Sequence, residues 1–253
     1  MNGKAFLNQY FDKIYVLTLR RATDRHIQVA QDLAGINFEF FYGEDKQAFT
    51  IEEAVKSKVY CPQRTKKENR FYPQLSHGEV ACAWSHLNIY KDMVRNGYQR
   101  VLIFEDDVVT INDNLEKIAD SLKQAPQSWD VIYLGYDKYG RKPRKTIKHL
   151  FYKAIGALRI TPWTYKMFCN YYPKHHSEYF LKAGYHNGAY AYAVSLEGAQ
   201  KMISYQTPIA FSSDTMMAYA TMKGLINAYL LRNKAFNENG ISYIWREYEQ
   251  LSA

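Results

Sequence analysis

Residues 100 to 104, RVLIF, form an apolar run too short for a helix and too hydrophobic for an exposed loop. The run passes straight into Glu105, Asp106 and Asp107. Such a segment reads as a buried strand, and a strand buried on both faces implies a sheet covered by helices. Three adjacent carboxylates at its end repel one another and need solvent, hydrogen-bond donors or a cation. Taken alone, the cluster reads first as a solvated acidic turn and only second as an ion site. If an ion binds there, oxygen ligands suit Mg2+ or Mn2+, which keep open positions for phosphate oxygens.

The neighbouring segments alternate as an α/β chain should. KIYVLTL at 13 to 19 reads as a first strand, followed by a charged loop and a helix over about 24 to 33 with Gly35 as its stop, and NFEFFY supplies a second strand. Thr50 and Glu53 have capping-box spacing, whereas 58 to 75, with Cys61-Pro62, a basic run and Pro73, reads as an irregular loop. Ser76 and Glu79 repeat the capping-box spacing ahead of EVACAWSHLNIYKDMVR, a helix that Asn96-Gly97 can end. A helix near 113 to 124, a strand DVIYLG from Asp130, a strand AYAYAVS at 189 to 195, a helix capped by Ser195 and one starting at Ser212 or Ser213 complete the pattern. The expected fold is α/β, a largely parallel central sheet with flanking helices, whose ligand sites lie at the carboxyl ends of the strands.

The chain has 253 residues, 47% hydrophobic and 23% charged, enough for a full core, and it reads as a single domain over 1 to 253. Lys and Arg outnumber Asp and Glu by 33 to 25, a net charge of +8 that favours phosphorylated ligands, polyanions or an anionic membrane surface. Much of it lies in a run from 138 to 153 carrying Lys138, Arg141, Lys142, Arg144, Lys145, Lys148 and Lys153, so 138 to 185 reads as a basic insertion facing acceptor or membrane. No window offers the roughly 20 apolar residues of a spanning helix, and the opening lacks a signal-peptide layout. A cytoplasmic protein, in peripheral contact with the inner face of the membrane, is expected. Cys61, Cys82 and Cys169 are odd in number and far apart, which reads as ordinary buried thiols rather than a disulfide framework or a paired-cysteine zinc site.

In order and spacing, IYVLTLRRATDRHI, LSHGEVACAWSHLNIY, VLIFEDDV, WDVIYLG and NGAYAYAVSLEGAQKMI resemble the successive blocks of glycosyltransferase family 25. That family includes bacterial lipo-oligosaccharide sugar transferases and relatives of collagen galactosyltransferase domains. The resemblance implies a GT-A-like fold, a UDP-hexose donor and a metal-binding acidic motif. It puts Thr18 and Leu19 beside base and ribose, and Arg21 and Arg25 beside the diphosphate, where guanidinium groups make charge-assisted hydrogen bonds. A solvated helix start accounts for the arginines equally well. Glu79 and His86, seven residues apart on one helix face, with Ser85, Glu105, Asp106 and Gly188, complete the expected donor site. Glu79 can instead only close its capping box, and His86 can be a satisfied buried histidine. Glu105 and Asp107 are the expected ligands of Mn2+ or Mg2+. The last histidine is His186, so a third protein ligand is not identified. Asp214 is the preferred general base, with a helix cap as its other reading and Asp130 as the other acid.

The expected activity is inverting transfer of a hexose, galactose by resemblance, from a UDP-sugar to a glycan hydroxyl of lipo-oligosaccharide or lipopolysaccharide. Two other classes are weighed against it. A basic nucleic-acid-binding module fits the charge and tyrosine content but lacks RRM, KH or zinc-finger signatures, so nucleic acid is not an expected partner. A metal-dependent phosphohydrolase fits the acids but lacks a clear second carboxylate set.

Overall fold

The computed structural model describes residues 2–69, 73–137, 147–158, 160, 163–186 and 188–239, without the side chains of 147–149. Its strands are β1 (Lys13–Thr18), β2 (Glu39–Tyr42), β3 (Arg100–Glu105), β4 (Val108–Thr110), β5 (Val131–Gly135), β6 (Lys174–His175), β7 (Phe180–Lys182), β8 (Ala191–Ser195), β9 (Ala228–Leu231) and β10 (Phe236–Glu238). Its α-helices are α1 (Gly3–Tyr10), α2 (Thr23–Asp32), α3 (Ile51–Lys56), α4 (Pro62–Glu68), α5 (His77–Asn96), α6 (Asn112–Leu115), α7 (Ile118–Lys123), α8 (Ile147–Ala157), α9 (Tyr165–Cys169), α10 (Leu196–Gln206) and α11 (Ser213–Lys223).

Eight strands form one sheet in the order β2-β1-β3-β8-β5-β9-β7-β6. Only β8 and β7 run against the other six, so the sheet is mostly parallel, the α/β architecture with a largely parallel central sheet expected from the sequence. Strand alternation divides the core between two faces. Val101 and Ile103 join Tyr90, Met93, Met202 and Met217 on the side of α5, α10 and α11, while Leu102 and Phe104 join Leu7, Val29 and Ile118 on the side of α1, α2 and α7. The acids that follow Phe104 therefore emerge where the buried strand reaches the rim.

Both capping boxes form. In α5 the Ser76 amide donates to Glu79 Oε2 at 2.7 Å, and the Glu79 amide donates to Ser76 Oγ at 3.2 Å. The stretch read as a loop from 58 to 75 contains α4 instead, with Pro62 in its first turn, where a missing N–H costs nothing. Tertiary bonds hold it: Arg64 donates to the Tyr205 and Pro208 carbonyls at 2.5 and 2.8 Å. The helix expected near 113 to 124 is two short ones, α6 and α7, which both bury leucines. Of the segment 138 to 185, β7 pairs with β9 and carries β6 outside it, so its last part completes the sheet.

Under the sheet's carboxyl end, His186 is buried, with its ring edge-on to Tyr133 at 4.3 Å and its Nδ1 3.1 Å from the Gly184 carbonyl. Burial drives its pKa down to about 4, only partly countered by the Gly184 carbonyl and by Asp214. The folded state refuses a proton that the unfolded chain accepts near 6.5, so the stabilisation is full above that pH and fades as pH falls towards 4. At full extent this linkage is worth about 3 kcal/mol. Urea midpoints at pH 7 and pH 4.5 should fall further for the parent than for His186→Gln, and equal falls would refute the assignment.

Candidate active site

A cavity opens at the carboxyl ends of β1 and β3. Leu17, Thr18 and Leu19 line it from β1, Arg21, Ala22 and Arg25 from the start of α2, and Gly43, Glu44 and Lys46 from the turn after β2. Gly78, Ala81, Cys82 and Ser85 face it from α5, and Glu105, Asp106 and Asp107 form its acidic wall.

The three acids have different partners. Asp106 is tied into the fold: Thr18 Oγ1 donates to its Oδ2 at 2.6 Å, and Arg25 makes a short ion pair with its Oδ1. Asp107 is buried, with Arg25 Nη1 3.9 Å away and its own Oδ1 lacking a hydrogen-bond partner. Burial first, then repulsion from Glu105, pushes its pKa up to about 7 against the pull of Arg25. Glu105 is the most open of the three, its side chain 36% exposed, with Oε1 3.6 Å from His86 Nε2. A buried carboxylate oxygen without a donor, beside a second carboxylate and a cavity, fits a hard divalent cation. Glu105 and Asp107 could hold Mn2+ or Mg2+.

Other expected site residues shape the cavity more than they face a ligand. Arg21 pairs with Asp45, Nε to Oδ2 at 2.6 Å, and this hydrogen bond holds the Asp45 pKa below its usual value despite partial burial. Ser85 Oγ donates to the Ala81 carbonyl at 2.7 Å and accepts from the Glu44 amide at 2.8 Å, so its hydroxyl fastens the post-β2 turn to α5. Gly43 is needed there, because a Cβ would stand 2.5 Å from Ser85 Oγ. His86 lies below the cavity floor, with its Nδ1 2.6 Å from Tyr192 Oη. Burial works against a charge on this ring, but Cys82 and Glu105 outweigh it and raise its pKa to about 10. The Glu79 carboxylate closes the capping box and does not line the cavity.

Asp214 sits in the first turn of α11. Its Oδ1 accepts from the Thr215 amide at 2.6 Å and Ser212 Oγ at 2.8 Å, while its Oδ2 has a long 3.4 Å contact from the Gly188 amide. Gly188 has φ +77, and a Cβ there would meet the Asp137 carboxyl at 2.7 Å. The glycine thus lets Asp137 and Asp214 approach the same turn. Asp130 lies at the other end of β5, buried, taking two 3.0 Å bonds from Lys201 and one of 2.7 Å from the Asn227 amide. It is a structural anchor.

Several residues of this region escaped the sequence reading. Asp137, two positions beyond β5, and Glu238, on β10, share a hydrogen bond, and burial raises the pKa of both. Lys234 lies close enough to offset part of their charge. The signal for Asp137 was its place just past a buried strand; Glu238 gave none, since its approach depends on β10 pairing with β4. Cys82 is half-buried rather than a plain core thiol, and stands one helical turn before His86. The basic residues from 138 to 146 lie outside the described residues.

The family model and the curated relatives agree on one family. A "Glycosyltransferase 25 family member" of Anopheles gambiae is 28% identical over 199 residues, 76% of this chain and 28% of that protein. Human "Procollagen galactosyltransferase 2" is 25% identical over 76% of this chain and 27% of its own length. Human "Inactive glycosyltransferase 25 family member 3" is 25% identical over 78% of this chain and 29% of its own length. The chain spans less than a third of these curated relatives. The family model described as "Glycosyltransferase family 25 (LPS biosynthesis protein)" matches residues 11–217, a span holding β1, α5, the acidic wall and Asp214, and the chain belongs to that family.

Proposed function

We propose that this protein is an inverting glycosyltransferase that moves a hexose, galactose in the first instance, from a UDP-sugar to a glycan hydroxyl of lipo-oligosaccharide or lipopolysaccharide. Because several relatives carry "inactive" in their names, membership alone does not carry the activity. The supporting observation is the cavity, where Glu105 and Asp107 face the β1–α2 turn and the unpartnered Asp107 oxygen calls for a cation. Thr18 and Leu19 would contact the nucleoside, while Arg21, Arg25 and Lys46 add positive charge for a diphosphate, beyond the pairs Arg21 and Arg25 make. A bound Mn2+ or Mg2+ would supply charge stabilisation of the leaving diphosphate. Asp214 would take the acceptor hydroxyl proton on its Oδ2, whose contact with the Gly188 amide is long at 3.4 Å. Asp137 is the second carboxylate within reach of that role, and its raised pKa suits a base.

Release of UDP from a panel of UDP-sugars, with Mn2+ or Mg2+ and with or without lipo-oligosaccharide, tests the reading; turnover of none of them would sink it. The Asp137 and Glu238 pair supplies the second carboxyl set that a metal-dependent phosphohydrolase needs, and sugar phosphate among the products would favour that enzyme.

Contact with an anionic membrane is the further part of the proposal. No helix among the described residues is long and apolar enough to cross a membrane. In and after α8, however, Leu150, Phe151, Leu158 and Ile160 are each more than 60% exposed, beside a basic stretch of sequence. An apolar helix face flanked by Lys and Arg is what an interfacial helix needs.

Asp107→Asn should lower transfer at least about 100-fold while the melting temperature holds or rises, since the amide relieves repulsion from Glu105. Full turnover in that variant would remove Asp107 from the site. Asp214→Asn should keep UDP-sugar affinity and lose roughly 100-fold or more in turnover; if it turns over normally and Asp137→Asn does not, the base is Asp137. Leu150→Glu with Phe151→Glu should weaken co-sedimentation with anionic vesicles roughly tenfold or more, given about 1.5 to 3 kcal/mol for each large apolar side chain buried. Unchanged co-sedimentation would exclude this face.

A further inference from the structure

Cys82 and His86 are one turn apart on α5, on the side that meets the end of β3. Ligand atoms of Cys82, His86 and Glu105 all lie within 4.8 Å of one another. The imidazole is 1% exposed, and its Nε2 is buried with no hydrogen-bond partner. The nearest carboxylate oxygen, on Glu105, is 3.6 Å away, too far for a hydrogen bond. On the opposite edge of the ring, Nδ1 is 2.6 Å from Tyr192 Oη, which is in turn 2.8 Å from Tyr90 Oη. With Nδ1–H donated to Tyr192, Nε2 points between the thiol and the carboxylate, and an arriving metal ion displaces the proton that the cationic ring carries there. Metal-binding histidines are oriented by this kind of outer hydrogen bond.

We infer that Cys82 Sγ, His86 Nε2 and Glu105 Oε1 form a three-ligand site for a borderline transition-metal ion of the Zn2+ class. A thiolate, an imidazole and a carboxylate suit Zn2+ or Co2+ far better than Mg2+ or Mn2+. On binding, the thiol and the imidazolium Nε2 each give up a proton to solvent, and the ion joins the three donor atoms while keeping one position open. Cys82 and Glu105 both line the cavity, so that position faces it, where water or a phosphate oxygen can enter. Ser213 Oγ lies 3.6 Å from the sulfur and gives it an outer polar neighbour. This site shares Glu105 with the carboxylate pair Glu105 and Asp107, so a Zn2+-class ion and a hard ion compete for that side chain. The site stands on its own geometry and does not need sugar transfer.

The test is titration of the chelator-stripped full chain with Co2+, without nucleotide or acceptor, followed by absorption spectroscopy and metal analysis after dialysis. The parent should bind one ion and show a thiolate-to-cobalt charge-transfer band. Because losing an outer-shell partner already costs about 10- to 100-fold in affinity, Cys82→Ser should lose the band and bind at least about 100-fold more weakly. Asp107→Asn should keep the band. Serine is close to isosteric with cysteine, and the Cys82→Ser melting temperature checks that the fold is intact; His86→Gln gives a second loss of affinity with the sulfur still present. No charge-transfer band in the parent overturns the site, as does a band that persists in Cys82→Ser and so comes from another cysteine. Either failure leaves UDP-sugar turnover to be judged separately, since no sugar enters this measurement.

Discussion

Negative charge concentrated where β3 leaves the core is the constraint that the rest of the site answers. A strand that buries Leu102, Ile103 and Phe104 completely cannot end in three carboxylates without compensation. Asp106 is compensated from within the chain, by Thr18 at the end of β1 and Arg25 in α2. Those two contacts lock the first strand, the first crossover helix and the central strand to one another. Because both partners are only partly buried, removing one costs less than the roughly 3 to 5 kcal/mol of a fully buried ion pair. Asp107 and Glu105 receive much less, and the imbalance appears as a raised Asp107 pKa and a carboxyl oxygen without a donor. The repulsion left in the folded protein is what a ligand cation would relieve.

The wall opposite the acids depends on close approach rather than charge. Ser85 uses its whole hydroxyl to hold the post-β2 turn against α5, and the turn fits only because Gly43 has no side chain. At the far side, Gly188 does the same for Asp137 and Asp214. Both glycines permit polar groups from distant parts of the sequence to meet, at the ends of strands where the layered architecture leaves open space. The exposed face of α8 stands apart from this chemistry.

Much of this was legible in the sequence because its signals are local. The Ser76 and Glu79 capping box, the apolar run before the acids and the alternation of strands and helices each report on neighbours within a few residues. Thr18, Leu19, Arg21, Arg25, Ser85 and the three acids do line one cavity. What could not be read is set by distant pairing. β8 enters the middle of the sheet antiparallel, between β3 and β5, and no local pattern in AYAYAVS announces that direction. β10 returns from the far end of the chain to β4 and brings Glu238 to the acids. Cys82 reads as an ordinary thiol because only the packing of α5 against β3 brings Glu105 beside it and His86. Arg64 makes α4 a helix through carbonyls more than 140 positions away.

The division of labour within the acidic wall also separates fold from chemistry. Asp106 spends both oxygens on Thr18 and Arg25, so its loss strikes the packing of β1, α2 and β3. Glu105 and Asp107 tie far less of the chain together, and their carboxylates face the cavity. A chain of this architecture can therefore keep its sheet, its helices and its Asp106 contacts while exchanging the other two acids. Relatives of about equal identity to this chain carry different names, one a galactosyltransferase and another inactive, so likeness of sequence does not by itself decide activity. In this chain the two acids left without such anchoring, Glu105 and Asp107, are the ones whose proposed role in catalysis can be tested without disturbing the Asp106 contacts that hold β1, α2 and β3 together.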